Sequence, residues 1–153
     1  MNALGAPKLG IFHQVGSVTD YQGMRYGLAS TLMDDGYFMF NTEAGQDGDA
    51  PWFDEYQAVL GTATSAPTTT AWQNGVYRRD FTNGIALVNP KGNGAQTITL
   101  EGDFKRLSGT QAPTVNSGQT VRTLTLQDRD GIILMRLTAT KVPQAPSGLK
   151  LQN

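Results

Sequence analysis

The feature that most constrains the fold of this chain is the segment at residues 72–90, WQNGVYRRDFTNGIALVNP, which predicts a β-hairpin. Residues 76–81 are one predicted strand, and residues 85–89 are the return strand. Between them lies Asn83-Gly84, two residue types that tolerate the positive φ angles of a tight hairpin turn. The hairpin also divides the chain, because the sequence before it mixes helical and strand patterns, whereas the sequence after it contains only strand patterns.

Residues 8–41 predict a strand, a helix and a second strand in a parallel βαβ unit. Apolar runs at residues 8–12 and 37–40 are typical of strands that are buried on both faces, as in parallel sheets. Between these runs, Thr19 and Gln22 have the spacing of a helix capping box, and apolar residues follow at helical intervals.

The sequence after the βαβ unit predicts one more short helix and then only strands. The helix spans residues 52–60, and a segment rich in Thr, Ser, Ala and Pro follows at residues 62–71 as a linker. Beyond it, short strands separated by turn residues predict a small antiparallel β-sandwich. Residues 127–130, QDRD, are predicted to join the last two strands as a second hairpin. The strands that follow the first hairpin are predicted at residues 97–100, 104–107, 120–126 and 131–137.

Composition and charge exclude several classes of function. The chain has 12 Lys and Arg against 13 Asp and Glu, and no basic run exceeds Arg78-Arg79, so no nucleic acid partner is expected. No apolar run reaches the roughly 18 residues of a membrane span, and the first residues lack a signal-peptide pattern. With no cysteine and a single histidine, the chain has little material for a metal centre, and no cofactor is expected.

Three motifs resemble the C-terminal end of glycoside-hydrolase-like proteins of bacteria. They are RYGLASTLMDDGYFMF at residues 25–40, YRRDFTNGIALVNP at residues 77–90 and DGIILM at residues 130–135. In that family a (β/α)8 barrel is followed by a small antiparallel β-sandwich. The resemblance implies that this chain is the C-terminal part of a secreted or cell-surface, carbohydrate-active protein, with a polysaccharide or an oligosaccharide as its ligand.

The resemblance also implies four parts for the chain. Residues 1–61 would be the last βα units of an incomplete (β/α)8 barrel, residues 62–71 a linker, and residues 72–140 the sandwich. Residues 141–153 would be a Pro-rich linker and the start of a further module. The predicted fold class is therefore α+β in several parts, with a partial βαβα unit from the end of a TIM barrel followed by a small antiparallel β-sandwich. Because six βα units would be missing, we expect this chain alone to be inactive, with the remainder of the parent barrel as its partner.

On that fold, chemistry would occur where the two parallel strands end. Active sites of (β/α)8 barrels lie at the C-terminal ends of the strands, where His13 and Asn41 are expected to meet. Glu43 is the best candidate for a catalytic carboxylate, and the second carboxylate that glycoside hydrolysis requires would come from the missing strands. The alternatives are a solvated or helix-capping role for Glu43 and a backbone hydrogen bond for His13. The Asp-Gly-Asp turn at residues 47–49 is far short of a Ca²⁺ loop, so no metal is expected.

Aromatic residues near the same strand end complete the predicted carbohydrate-binding set. Trp52, Phe53 and Tyr56 could stack on the apolar C–H faces of sugar rings, together with His13 and Asn41 at the strand ends. The alternative is that the three aromatic residues belong to the core and tie the second helix to the sandwich.

The two arginines of the hairpin are expected to have different roles. Arg78 and Arg79 alternate along one strand, so their side chains point to opposite faces. One of them is expected to face the barrel part and to make an arginine–carboxylate bond across the interface, which Trp72 and Tyr77 would help to seal. Asp80 lies beside the pair.

Two functions are consistent with these observations. In the first, the sandwich stabilises the end of a glycoside-hydrolase-like barrel, and the fragment itself is not catalytic. In the second, the sandwich is a non-catalytic carbohydrate-binding or structural interaction module. Fold resemblance alone does not decide between them, because one fold can carry many functions.

Overall fold

A computed structural model describes residues 10–42 and 50–137 of the chain. The predicted further module at residues 141–153 lies outside these ranges. The described residues form one α-helix, one helical turn and seven strands in two sheets. In chain order they are β1 (Ile11–Gly16), α1 (Tyr21–Leu32), β2 (Tyr37–Thr42), a 3₁₀ turn (Asp54–Gln57), β3 (Tyr77–Asp80), β4 (Gly84–Asn89), β5 (Gln96–Arg106), β6 (Thr120–Leu126) and β7 (Asp130–Arg136).

The first sheet consists of β1 and β2, which pair in parallel as the sequence predicts. The register runs from Ile11 opposite Tyr37 to Gly16 opposite Thr42. Strand β1 extends beyond its predicted end, so His13 lies within the strand rather than at its end. Helix α1 connects the two strands and packs on one face of the pair.

The N-cap of helix α1 lies one residue later than the predicted N-cap, Thr19. The N-cap is Asp20, whose Oδ1 accepts a hydrogen bond from the Gly23 N–H at 2.9 Å. Thr19 donates its backbone N–H to the Ser17 hydroxyl at 3.3 Å and therefore belongs to the preceding turn. The predicted capping box is wrong, because the Gln22 side-chain amide donates to a backbone carbonyl of the β6–β7 loop at 2.9 Å.

The second predicted helix is wrong, since only Asp54–Gln57 form a helical turn. The flanking residues Phe53 and Ala58 have extended backbones, with ψ angles of 147° and 111°. The turn is held from outside by Gln111, whose backbone N–H donates to Asp54 Oδ2 at 2.7 Å and whose side-chain oxygen accepts from the Asp54 N–H at 2.9 Å. The predicted βαβα unit is therefore a βαβ unit followed by a single turn.

The second sheet has five antiparallel strands in the order β3-β4-β7-β5-β6. The hairpin predicted at residues 72–90 is confirmed, because β3 and β4 pair from Tyr77 opposite Val88 to Asp80 opposite Ile85. The pairing of β4 with β7 then places this hairpin at one side of the whole sheet.

The turn of the hairpin lies one residue earlier than predicted. The Phe81 N–H donates to the Gly84 carbonyl at 2.9 Å, so Thr82 and Asn83 are the central residues and Gly84 already belongs to β4. A glycine is needed at this point for space, because a Cβ there would lie 2.5 Å from the Leu134 carbonyl oxygen on β7.

The second predicted hairpin, with its turn at residues 127–130, is wrong. Strand β6 pairs with β5, and β7 pairs with β4 and β5, so the loop joins strands that are not neighbours. Strand β7 is buried on both faces over most of its length and lies in the middle of the sheet, whereas β6 is mostly exposed and lies at the edge. The strands predicted at residues 97–100 and 104–107 are one strand, β5, with a register shift between Thr99 and Phe104.

The core occupies both faces of the β4–β7 pair. On one face, apolar residues of β4 and β7 form a single cluster with those of β5 and β6, which gives the domain a sandwich-like interior. On the other face, Ala86, Val88 and Ile133 pack with Ala29 and Met33 at the C-terminal half of helix α1. The helix therefore lies between the parallel sheet and the antiparallel one.

Two buried arginines attach helix α1 to the antiparallel sheet. Arg25 donates to Asp130 at the start of β7, with Nε–Oδ1 and Nη2–Oδ2 distances of 3.1 Å. Arg79 donates to Asp35 Oδ1 at 2.6 Å and to the Leu32 carbonyl at 3.2 Å, at the C-terminal end of the helix. The prediction that one hairpin arginine faces the βαβ unit and binds a carboxylate there is confirmed for Arg79.

Candidate functional site

The C-terminal ends of β1 and β2 lie side by side and form the candidate site. Val15 is opposite Asn41, and Gly16 is opposite Thr42, so both strands end at the same edge. Asn41 is buried, and its side-chain oxygen Oδ1 has no hydrogen-bond partner within residues 10–42 and 50–137. A buried amide oxygen without a partner is costly, so a hydrogen bond to a group outside the described residues would stabilise this atom.

His13 lies on the same face of the sheet as Asn41 but not beside it. Its partner in the register is Met39, two residues before Asn41, and alternate residues of a strand share a face. The side chain is exposed. The expectation that His13 would stand at the strand end is therefore wrong, since β1 continues for three residues to Gly16.

The predicted catalytic residue Glu43 follows directly after β2 and lies outside the described residues, as do residues 47–49. Its proposed role therefore stays a prediction. The structure shows only that Thr42, the residue before it, is the last residue of β2. Within the described part of the chain, no group of three His, Cys, Asp or Glu side chains could hold a metal ion.

The aromatic residues after the strand end differ in exposure, since Phe53 is buried, Tyr56 is half-buried and Trp52 is exposed. Phe53 is fully buried, with its ring centroid 5.1 Å from that of Phe40 and 6.4 Å from that of Tyr21. A fully buried ring offers no face to a sugar, so this burial favours the alternative that Phe53 belongs to the core. Trp52 is 63% exposed and contacts the half-buried Tyr56 edge to face, with ring centroids 5.7 Å apart, so the Trp52 ring remains accessible from solvent.

A buried carboxylate that the sequence did not single out, Glu55, lies between Phe53 and Tyr56 in the chain. Its Oε1 accepts a hydrogen bond from Asn116 Nδ2 at 2.9 Å, and burial raises the pKa of Glu55 above its ordinary value of 4.5. A raised carboxyl pKa is a property of general acids, but this side chain is almost completely covered. The Glu55–Asn116 hydrogen bond and the two Asp54–Gln111 hydrogen bonds hold the 3₁₀ turn against the loop before β6.

Nothing in the sequence distinguished Glu55 from its neighbours in the chain as a buried residue. In the predicted helix it would have occupied the solvated first turn, where acidic residues are common. Its burial follows from the extended backbone at Phe53 and from contacts with Asn116, which is 61 residues away in the chain.

The geometry defines a class of protein in which a parallel βαβ unit is attached to a β-rich, sandwich-like domain. A family model described as "Hypothetical glycosyl hydrolase family 15" matches residues 9–85, just over half of the chain. The chain belongs to this glycosyl-hydrolase-like family, as the motifs at residues 25–40 and 77–90 indicated. No curated protein and no solved structure matches it. Among the described residues, no helix has the length and apolar character needed to cross a membrane.

Proposed function

We propose that this chain is the C-terminal part of a secreted or cell-surface, carbohydrate-active glycosyl hydrolase. In this proposal β1, α1 and β2 belong to a (β/α)8 barrel, and the sandwich-like domain stabilises the end of that barrel. The chain alone does not hydrolyse glycosides, because most of the barrel is supplied by preceding βα units.

The observation that carries this proposal is the exposed apolar face of the parallel sheet. On the face opposite helix α1, Ile11, Val15 and Tyr37 are each more than half exposed, and Met39 is 43% exposed. Parallel sheets are normally covered on both faces, because their apolar strands gain stability only when both sides are removed from water. In a barrel this face would point to the interior, where apolar side chains from the other strands would cover it.

A second surface of the βαβ unit supports the same arrangement. A groove of about 480 Å³ lies between β1 and helix α1, and Phe12, Tyr26 and Phe38 contribute aromatic carbon to it. In the described residues, β1 and β2 pair only with each other, so their outer edges also remain open. A preceding βα unit would place its strand on the open edge of β1 and its helix in this groove.

The chemistry of the parent enzyme would then centre on the strand ends. Glu43 is the proposed catalytic carboxylate, with Asn41 and His13 as proposed sugar contacts on the neighbouring strands. A retaining mechanism would need the second carboxylate about 5–5.5 Å from Glu43, and an inverting mechanism about 6.5–9.5 Å. The unpartnered oxygen of Asn41 gives this edge of the sheet an acceptor suited to a sugar hydroxyl.

The test compares this chain with the longer polypeptide encoded upstream in the same reading frame. On a panel of chromogenic glycosides, the longer protein should turn over substrate, and Glu43→Gln should abolish that turnover. The matched control is Asp103→Asn, which removes a carboxylate from an exposed position on β5. In the same two proteins, hydrogen exchange should show that the β1 amides facing away from β2 become protected only in the longer one.

Two outcomes would refute the proposal. The first is turnover by the 153-residue chain itself that Glu43→Gln abolishes, because the site would then be complete without further strands. The second is an upstream reading frame that encodes no βα units, because the exposed face of the parallel sheet would then have no barrel to join.

The second candidate function is a non-catalytic carbohydrate-binding module, favoured by the exposed Trp52 ring and its contact with the half-buried Tyr56. The measurement is retention of this chain on insoluble polysaccharides. Binding that is lost in Trp52→Ala and Tyr56→Ala would favour this function. No retention by the unmodified chain would remove it.

A further inference from the structure

A cleft of about 370 Å³ lies on the sandwich-like domain beside strand β3. One wall is the segment at residues 65–70, and side chains of β3 line the opposite side. The cleft shares no lining residue with the candidate site at the ends of β1 and β2. Its polar and aromatic lining includes Ser65, Thr68, Thr70, Trp72, Arg78 and Asp80.

The wall of this cleft is fixed by backbone hydrogen bonds. The Thr64 N–H donates to the Asp80 carbonyl at 2.9 Å, and the Thr68 N–H donates to the Met33 carbonyl at 3.0 Å. The segment predicted as a linker is thus bound both to β3 and to the end of helix α1. A cleft whose walls are already ordered loses little conformational entropy when a ligand binds.

Trp72 stands at the other side of the cleft, at the base of a tight turn. Its N–H donates to the Val76 carbonyl at 2.8 Å, and the turn contains Asn74 and Gly75 with φ angles of 49° and 75°. The guanidinium of Arg78 lies 4.9 Å from the Trp72 ring centroid, while 39% of the tryptophan remains exposed. The ring is therefore held in one orientation with part of its surface free for a ligand.

The charges around the cleft cancel. Arg78 donates to Asp80 and Glu101 at distances of 2.6–2.9 Å, and Arg136 donates to Asp80 at 2.7 Å. The hydrogen bonds from Arg78 lower the pKa of Glu101 to about 2, so two arginines face two carboxylates at neutral pH. A site without net charge does not select phosphate, uronate or ammonium groups.

We propose that this cleft binds a neutral oligosaccharide. Trp72 contacts the apolar C–H face of one sugar ring, while Asp80 and the hydroxyls of Thr68 and Thr70 bond to its hydroxyl groups. Four of the five N–H donors of Arg78 are used in the ion pairs, which leaves one for the sugar. Small-molecule sites combine an apolar surface with a few convergent polar groups in this way.

The proposal goes beyond the hydrolytic function, because the cleft is made only of described residues and needs no barrel. Sugar binding here and hydrolysis at Glu43 therefore succeed or fail separately. An activity screen that finds no hydrolysis leaves the binding experiment below unaffected, and the reverse also holds.

The chain contains two tryptophans, so each can be measured alone. Trp52→Phe leaves Trp72 as the only tryptophan, and Trp72→Phe leaves Trp52. Both variants are titrated with neutral hexasaccharides of glucose, xylose, mannose and N-acetylglucosamine, and with a hexauronate. At least one neutral sugar should change the fluorescence of the Trp52→Phe variant to saturation without changing that of Trp72→Phe, and the hexauronate should bind more weakly.

Calorimetry with the sugar that responds gives the second readout. Trp72→Ala should weaken binding by about tenfold or more, and Thr70→Val, which removes a hydroxyl at nearly constant shape, by several-fold. Circular dichroism melting curves of each variant check that the domain remains folded. No response of Trp72 to any neutral sugar would overturn the proposal, as would unchanged affinity in both Trp72→Ala and Thr70→Val. A response of Trp52 alone would overturn it too, and would place sugar binding at the Trp52–Tyr56 pair.

Discussion

The buried Arg25–Asp130 pair attaches helix α1 to the antiparallel sheet, and substitution of either residue should strongly lower the stability of this domain. Both side chains are almost fully covered, with 5% and 8% exposure, and two hydrogen bonds of 3.1 Å join them. Removing one partner of such a pair costs about 3–5 kcal/mol, because the other charge stays buried without compensation. Asp130→Asn should therefore lower the free energy of unfolding by about 3–5 kcal/mol.

The two single variants should differ in their pH dependence. In Arg25→Met the remaining carboxyl of Asp130 can become neutral, and burial already raises the pKa of Asp130 above its ordinary value of 3.8. A raised pKa in the folded state means that the folded protein binds more protons, so stability decreases as the pH rises through that range. The loss in Arg25→Met should thus shrink on acidification, whereas Asp130→Asn has no carboxyl at this position that could take up a proton, so its loss should persist.

Urea unfolding at pH 7 and pH 5, followed by circular dichroism, measures both effects. The double variant Arg25→Met/Asp130→Asn should lose much less than the sum of the single losses, because no buried charge is left. Arg136→Met is the control, since its side chain is 40% exposed in its ion pair and should cost at most about 1 kcal/mol. A loss below about 1 kcal/mol in Asp130→Asn, or additive single losses, would refute the reasoning.

Three further predictions concern other contacts of the domain. Gly131→Ala should destabilise the fold by about 1–3 kcal/mol in urea unfolding, because its Cβ would lie 2.5 Å from a side-chain carbon of helix α1; Gly102→Ala, with no atom within 4 Å, is the control. Burial raises the pKa of Glu55 in the folded state, so the protein should lose stability as the pH rises above 4.5. Glu55→Gln should remove this part of the loss, and an unchanged pH profile of the melting temperature would contradict the prediction. Arg79→Met should cost about 1 kcal/mol, because the Asp35 carboxylate that it leaves behind is 71% exposed and stays hydrated. Hydrogen exchange at the end of helix α1 should increase in this variant, and an unchanged exchange rate there would contradict the prediction.

Local patterns in the sequence predicted the parts of the fold that depend on neighbouring residues. The apolar runs and the helical spacing between them identified the βαβ unit, and the pairing of β3 with β4 as a hairpin was confirmed, although its turn lies one residue earlier than predicted. These elements form because their residues alternate or repeat with the period of a strand or a helix, and that period can be read without knowing any partner. Their ends were less accurate, as Asp20 and Gly84 show, because caps and turns depend on single hydrogen bonds and single close contacts.

The candidate site was predictable only in part. The position of Asn41 near the end of β2 follows from element order, but the exposure of Trp52 and the burial of Phe53 and Glu55 do not. Both lie where an extended backbone and contacts with a distant loop replace the predicted helix. The Trp72 cleft also depends on such contacts. The segment at residues 65–70 that forms its wall was predicted to be part of a linker, and hydrogen bonds to β3 and to the end of helix α1 order it.

The sequence by itself determined that a parallel βαβ unit precedes a set of antiparallel strands, and that the pair Arg78 and Arg79 divides between two faces. Only the tertiary structure decided that β7 lies between β4 and β5 rather than beside β6, that helix α1 packs against β7, and that Arg25 meets Asp130 across 105 residues. The physical reason is that local periodicity specifies which side of an element is apolar, whereas burial of β7 on both faces requires two separate layers to cover it. The choice of those layers depends on packing among residues far apart in the chain, which no local pattern encodes.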